Sequence, residues 1–99
     1  MLTRKVEPKA ISFHNSTRSY DETACVVRFW GYDRALEVSF FIEEDALTKM
    51  SSQVLFNPHG FLRTFDVNLG RIREMASILY ARRTGSNIYS FALTENDFE

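Results

Sequence analysis

Apolar and polar residues alternate, then shift to a helical period, then alternate again, and these changes of period mark out the elements. Ile11 and Phe13 alternate with Ser12 and His14, the pattern of a short strand with one buried face. Asn15 to Thr23 gathers Asn, Ser, Thr and Asp and reads as a loop. A clearer strand runs from Ala24 to Trp30. Gly31-Tyr32-Asp33-Arg34-Ala35 follows, and a further strand covers Leu36 to Ile42, so the two segments predict a β-hairpin. Pairing Phe29 with Val38, Val27 with Phe40 and Cys25 with Ile42 gathers six apolar side chains on one face. Val26, Arg28, Trp30, Glu37, Ser39 and Phe41 then share the other. A four-residue connection, Tyr32 to Ala35, fits this parity, and a two-residue one preserves it.

The period then becomes helical. Glu43, Glu44 and Asp45 place negative charge at the start of a short helix in which Ala46, Leu47 and Met50 share a face, and Ser51 to Phe56 reads as a connection. Asn57 to Gly85 reads as one long amphipathic helix. Asn57 is a capping residue, Pro58 suits the first helical position, and Phe56 and Phe61 stand at hydrophobic-staple spacing. Arg82 and Arg83 lie where the dipole favours cations, and Gly85 suits a left-handed stop. Phe61, Leu62, Phe65, Leu69, Ile72, Met75, Ala76, Leu79 and Tyr80 fall within an arc of roughly 140°, the face expected to pack on the sheet. From Asn87 to Leu93 alternation returns and predicts a last strand.

The fold class that follows is α+β: an antiparallel sheet of about four strands, one long amphipathic helix on one face and a short connecting helix. Ninety-nine residues make a single domain, with polar residues 1–9 and the acidic tail 94–99 expected to be mobile. A hydrophobic fraction of 44% favours a folded globule over a disordered segment.

Twelve basic and thirteen acidic residues leave a formal charge of -1, which removes the usual starting point for nucleic-acid binding. No apolar run approaches the roughly 20 residues of a membrane span, and Met1 to Pro8 does not resemble a signal peptide. Cys25 is the single cysteine, so an intrachain disulfide and a cysteine zinc site are excluded. The chain reads as cytoplasmic, with Cys25 as a buried structural thiol.

No catalytic constellation is recognisable. His14 and His59 fall on different elements without zinc-motif spacing, and helix-start electrostatics account for Glu43, Glu44 and Asp45. Glycine never takes the spacing of a phosphate cradle, and no cofactor is expected.

Two surfaces stand out. Arg28, Trp30, Tyr32, Arg34 and Phe41 form a candidate interaction surface on the outer hairpin face, built from side chain types that dominate binding hot spots. Val67, Gly70, Arg71, Ser77, Ile78 and Ala81 form a candidate dimer face on the back of the helix, where a mid-helix glycine permits close approach. Five arginines, at 63, 71, 73, 82 and 83, fall on different sides of the helix and do not form one phosphate-tracking stripe.

The succession TRSYD (Thr17 to Asp21), VRFWGYD (Val27 to Asp33), LEVSFFIEEDAL (Leu36 to Leu47) and FDVNLGRI (Phe65 to Ile72) resembles a small bacterial family, domain-of-unknown-function family 1488. The resemblance implies a compact cytosolic bacterial α+β domain and transfers no catalytic assignment. The functional expectation is a non-enzymatic binding or regulatory module with a protein partner or self-association. A nucleic-acid-associated regulator using arginines and exposed aromatics is the alternative, and a small enzyme is third.

Overall fold

The computed structural model describes residues 11–14, 17–51, 56–82 and 88–98. Strands β1 (Arg18–Asp21), β2 (Val26–Asp33) and β3 (Leu36–Glu43) are followed by helices α1 (Glu44–Met50), α2 (Pro58–Val67) and α3 (Leu69–Arg82). Strand β4 (Ser90–Leu93) and a 3₁₀ helix, Glu95–Phe98, complete the order. The four strands form one sheet in the order β1-β2-β3-β4. The α+β class and strand number agree with the sequence pattern, but the sheet is mixed: β4 runs parallel to β3, while the other pairs are antiparallel. A parallel neighbour requires a long crossover. Helices α1 to α3 supply it.

The hairpin differs from the expected register by a two-residue slip. Val27 faces Ile42, Phe29 faces Phe40 and Gly31 faces Val38. The strands continue to Asp33 and Leu36, leaving Arg34-Ala35 as a two-residue turn with Arg34 at φ 60°. A shift of two keeps each side chain on its expected face. Gly31, read as part of the connection, lies inside β2 and is buried, and Tyr32 is likewise a strand residue.

The first strand is also corrected. Within Ile11 to His14 the described pairing is a single bridge, Ser12 to Tyr32, with both hydrogen bonds at 2.8 Å. The segment read as a loop contributes β1. Its inward positions carry Arg18 and Tyr20, which hide the alternation: Arg18 forms a two-pronged ion pair with Asp66 of α2, and Tyr20 stacks on Phe61.

Cys25 lies just outside β2, although its carbonyl still accepts from the Glu44 amide at 3.1 Å. Asp21 accepts hydrogen bonds from the Thr23 and Ala24 amides, and the tight turn this closes puts Cys25 at φ 57° with its side chain exposed. The expectation of a buried thiol is therefore wrong.

The long helix starts as its sequence predicts. Asn57 accepts from the Gly60 amide at 2.7 Å, and the Phe56 ring meets Phe61 edge-on at 5.8 Å. It does not continue unbroken to Gly85. At Asn68 the backbone turns to φ -105°, ψ 18°. The Asn68 side chain donates to the Thr64 carbonyl at 2.9 Å, and its amide reaches the Thr64 and Phe65 carbonyls. A short amide side chain that bonds local backbone favours such ends, and Gly70 weakens helix propensity just beyond. Arg83 and Gly85 lie outside the described residues.

The core sits between the helices and one face of the sheet. Val27, Phe29, Val38, Phe40, Ile42 and Leu93 meet Ala46, Leu47, Phe61, Phe65, Ile72, Ala76 and Tyr80. Leu62, Leu69, Met75 and Leu79 pack on its margin. The expected free tail is corrected by the 3₁₀ helix: Phe98 is buried, and Asp97 accepts from the Thr94 amide at 2.8 Å. Residues 1–9 lie outside the described residues.

Candidate functional site

Strand alternation divides the chemistry of the sheet. Ring contacts Phe29–Phe65, Tyr20–Phe61 and Tyr80–Phe91 tie the helices to the inner face. The outer face carries Arg28, Trp30 and Tyr32 from β2 and Glu37, Ser39, Phe41 and Glu43 from β3. Trp30 and Phe41 are half-buried, neither fully open nor sealed into the core.

The centre of this face is organised around Arg28. Cross-strand pairing puts Arg28 opposite Phe41, and the i, i+2 relation puts it beside Trp30. Its guanidinium carbon lies 5.3 Å from the Trp30 ring centroid and 5.2 Å from that of Phe41. A cation between two aromatic faces is held by their quadrupoles, and its stem is desolvated by their bodies. The Arg28 Nε is buried and has no hydrogen-bond partner among the described residues. Such an unmet donor is costly within a folded chain and calls for an explanation.

Further along, the Tyr32 hydroxyl donates to Glu37 at 3.4 Å, and the His14 ring lies 5.8 Å from Tyr32. Thr17, Trp30, Tyr32 and Glu37 line an open concavity of about 260 Å³. Arg34 is exposed in the turn at the end of the same face. Four of the five expected surface residues therefore sit on β2 and β3, and Arg34 closes the row.

The helix-back face does not come together in the same way. Val67, Gly70, Arg71 and Ala81 are exposed and Ser77 and Ile78 are half-buried, but the Asn68 break divides them between two helices. Arg71 donates to the Phe98 carbonyl at 3.3 Å and lies over its ring, so it serves the terminal 3₁₀ helix. A Cβ at Gly70 would meet nothing within 4 Å, so no close packing among the described residues requires glycine there.

Charged groups elsewhere have structural work. The Tyr20 hydroxyl donates to Glu44, and this hydrogen bond, followed by burial, pushes the tyrosine up to about 12. Cys25, Glu43, Glu44 and Asp45 line a second open concavity, where the Glu44 charge foremost, followed by burial, pushes the thiol up. A thiol held protonated is a poor nucleophile. His59 is exposed in the first turn of α2, on a different element from the His14–Tyr32 contact. Among the described residues no group of three or more His, Cys, Asp or Glu stands together to hold a metal ion. None of the helices described is long and apolar enough to cross a membrane.

Sequence reasoning missed two residues that shape this region. Gly31 lets Ile11 and Phe13 pack against β2, and Asp33 accepts a 2.5 Å hydrogen bond from the buried Tyr80 hydroxyl. Neither has a local signal, since each depends on a segment distant in the chain.

A small mixed sheet with helices on one face and an aromatic-cation cluster on the other defines the class, an α+β domain. The chain belongs to the family described as Protein of unknown function (DUF1488), whose model matches residues 11–93. The fold is similar to the crystal structure of a protein of unknown function from this family in Shewanella loihica PV-4. The TM-score is 0.76 at 15% identity, over 89% of this chain and 96% of that one. No curated protein matches the chain.

Proposed function

We propose that the protein is a non-enzymatic binding module whose outer sheet face docks a protein partner. The observation that carries this reading is Arg28, held between Trp30 and Phe41 with a buried Nε that bonds nothing among the described residues. Arginine and tryptophan are the side chains on which interface energy concentrates, and ring stacking fixes the guanidinium before a partner arrives. The nucleic-acid reading has less support. Arg18 is paired with Asp66, Arg71 lies over Phe98 and Arg73 lies over Phe13, so these three cations already have partners within the fold.

The test uses the single tryptophan. In the isolated monomer Trp30 fluorescence is quenched by acrylamide, and a bound partner protects it. Trp30→Ala costs about 2 kcal/mol or more of binding while the melting midpoint stays near that of the wild type. A Trp30 signal fully protected in the monomer rejects the reading. A steep loss of affinity with salt for nucleic acid, unaffected by Trp30→Ala, favours the alternative.

A further inference from the structure

The outer face carries an ordered ladder of charge along the strands. At the α1 end Asp21 and Glu43 flank Val26, one row of acids. The next row has Arg28 beside Phe41, and the third Trp30 beside Ser39. Tyr32 beside Glu37 makes the fourth, and Arg34 in the turn ends the series. Read from one end, the sequence is acid, base, tryptophan, acid, base. Rotation by a half-turn about an axis that crosses the strands at Trp30 converts this order into its electrostatic complement. The Arg28–Phe41 row then faces the Tyr32–Glu37 row, which brings Arg28 within one strand spacing of Glu37, and the row of Asp21 and Glu43 faces Arg34.

We propose that the occupant of this face is a second copy of the chain, packed face to face about a twofold axis at Trp30; this rests on the reading of the outer face as a docking surface. Isologous packing requires a self-complementary patch, and the ladder is one. A face whose charges shared one sign, or ran in a symmetric order, would repel its own copy. The Arg28 guanidinium, fixed between rings, presents donors to a carboxylate, and Glu37 of a second copy arrives at that row. Glu37 is exposed, and the hydrogen bond it receives from Tyr32 is long at 3.4 Å, so its carboxylate is available.

Arg34 adds an independent observation. It occupies the left-handed region at φ 60°, where glycine, asparagine or aspartate costs less. The arginine there puts a cation at the row that faces Asp21 and Glu43. Strand spacings of ~4.8 Å and a rise of ~3.3 Å per residue give this face a footprint of roughly 400 Å² per copy. That size belongs to the weak end of specific association, so the dimer forms reversibly.

The experiment is sedimentation equilibrium of the full chain with Arg28→Glu, Glu37→Arg, their equimolar mixture and the double variant. The wild type shows concentration-dependent dimer. Each single reversal sets like charges together twice per dimer and weakens association at least tenfold. The mixture restores a one-to-one heterodimer, because the two reversed charges face one another across the axis while the native Glu37 of one copy meets the native Arg28 of the other. The double variant restores the homodimer. Melting curves verify that each variant is folded, and the double variant provides the test if one single variant is not. A wild type that stays monomeric into the millimolar range overturns the proposal, as does failure of both folded mixture and folded double variant to associate. If the monomer's Trp30 is still quenched by acrylamide, only self-association falls; if it is shielded, the docking surface falls with it.

Discussion

Gly31 and Gly70 stand in opposite surroundings, and alanine at each position separates their roles. A Cβ on Gly31 would approach Ile11 Cγ1 to 2.6 Å and Phe13 to 3.0 Å. Gly31→Ala therefore pushes the Ile11–Phe13 segment off β2 and destabilises the fold by about 1 to 3 kcal/mol in denaturant titration. Gly70→Ala meets open space within α3 and stabilises by about 0.5 to 1 kcal/mol, as helix propensity dictates. Cys25 gives a third check. Exposed yet surrounded by Glu44, Asp45 and Asp21, its thiol is pushed up and stays protonated at neutral pH. Alkylation is expected to be slower than for free cysteine at the same pH, and Glu44→Gln to accelerate it. At this scale the sequence was legible where strand alternation decides a face, as for Arg28, Trp30 and Phe41. It was illegible at Cys25, because a turn set by Asp21 takes that residue out of an apolar run it otherwise matches.

Among the elements, the helix core face was legible because its 3.6-residue period survives the interruption at Asn68. Ile72 and Ala76 in α3 are fully buried, as are Phe61 and Phe65 in α2 to within 2%. Ile72→Ala is expected to cost about 2 to 5 kcal/mol, whereas the half-buried Leu69 costs less on truncation. Denaturant titration of the two variants checks the order. The break itself was hidden because Asn68 lies outside the apolar arc, and only its hydrogen bonds to Thr64 and Phe65 expose its role. The β1 strand was hidden for a related reason. Arg18 and Tyr20 point inward with polar ends that find Asp66 and Glu44, partners contributed by helices far along the chain.

Across the whole molecule, the Tyr20–Glu44 hydrogen bond joins the edge strand β1 to α1 and couples stability to alkaline pH. The folded-state pKa, about 12, lies above the ordinary tyrosine value near ~10, so the folded chain holds this proton more tightly than the unfolded one. Its contribution is complete below about pH 10 and is lost as pH rises toward 12. Thermal melts of Tyr20→Phe are expected to lack that part of the alkaline decline. The parallel pairing of β3 with β4 governs the time course of assembly. The β2–β3 hairpin closes across two residues, whereas β4 pairs with β3 only across the whole of α1, α2 and α3. Contacts between distant segments cost loop-closure entropy before they stabilise anything, so β4 is seated late. Leu93→Ala is therefore expected to speed unfolding with little change in the folding rate, a chevron signature that sets the chain's lifetime by the departure of its last strand.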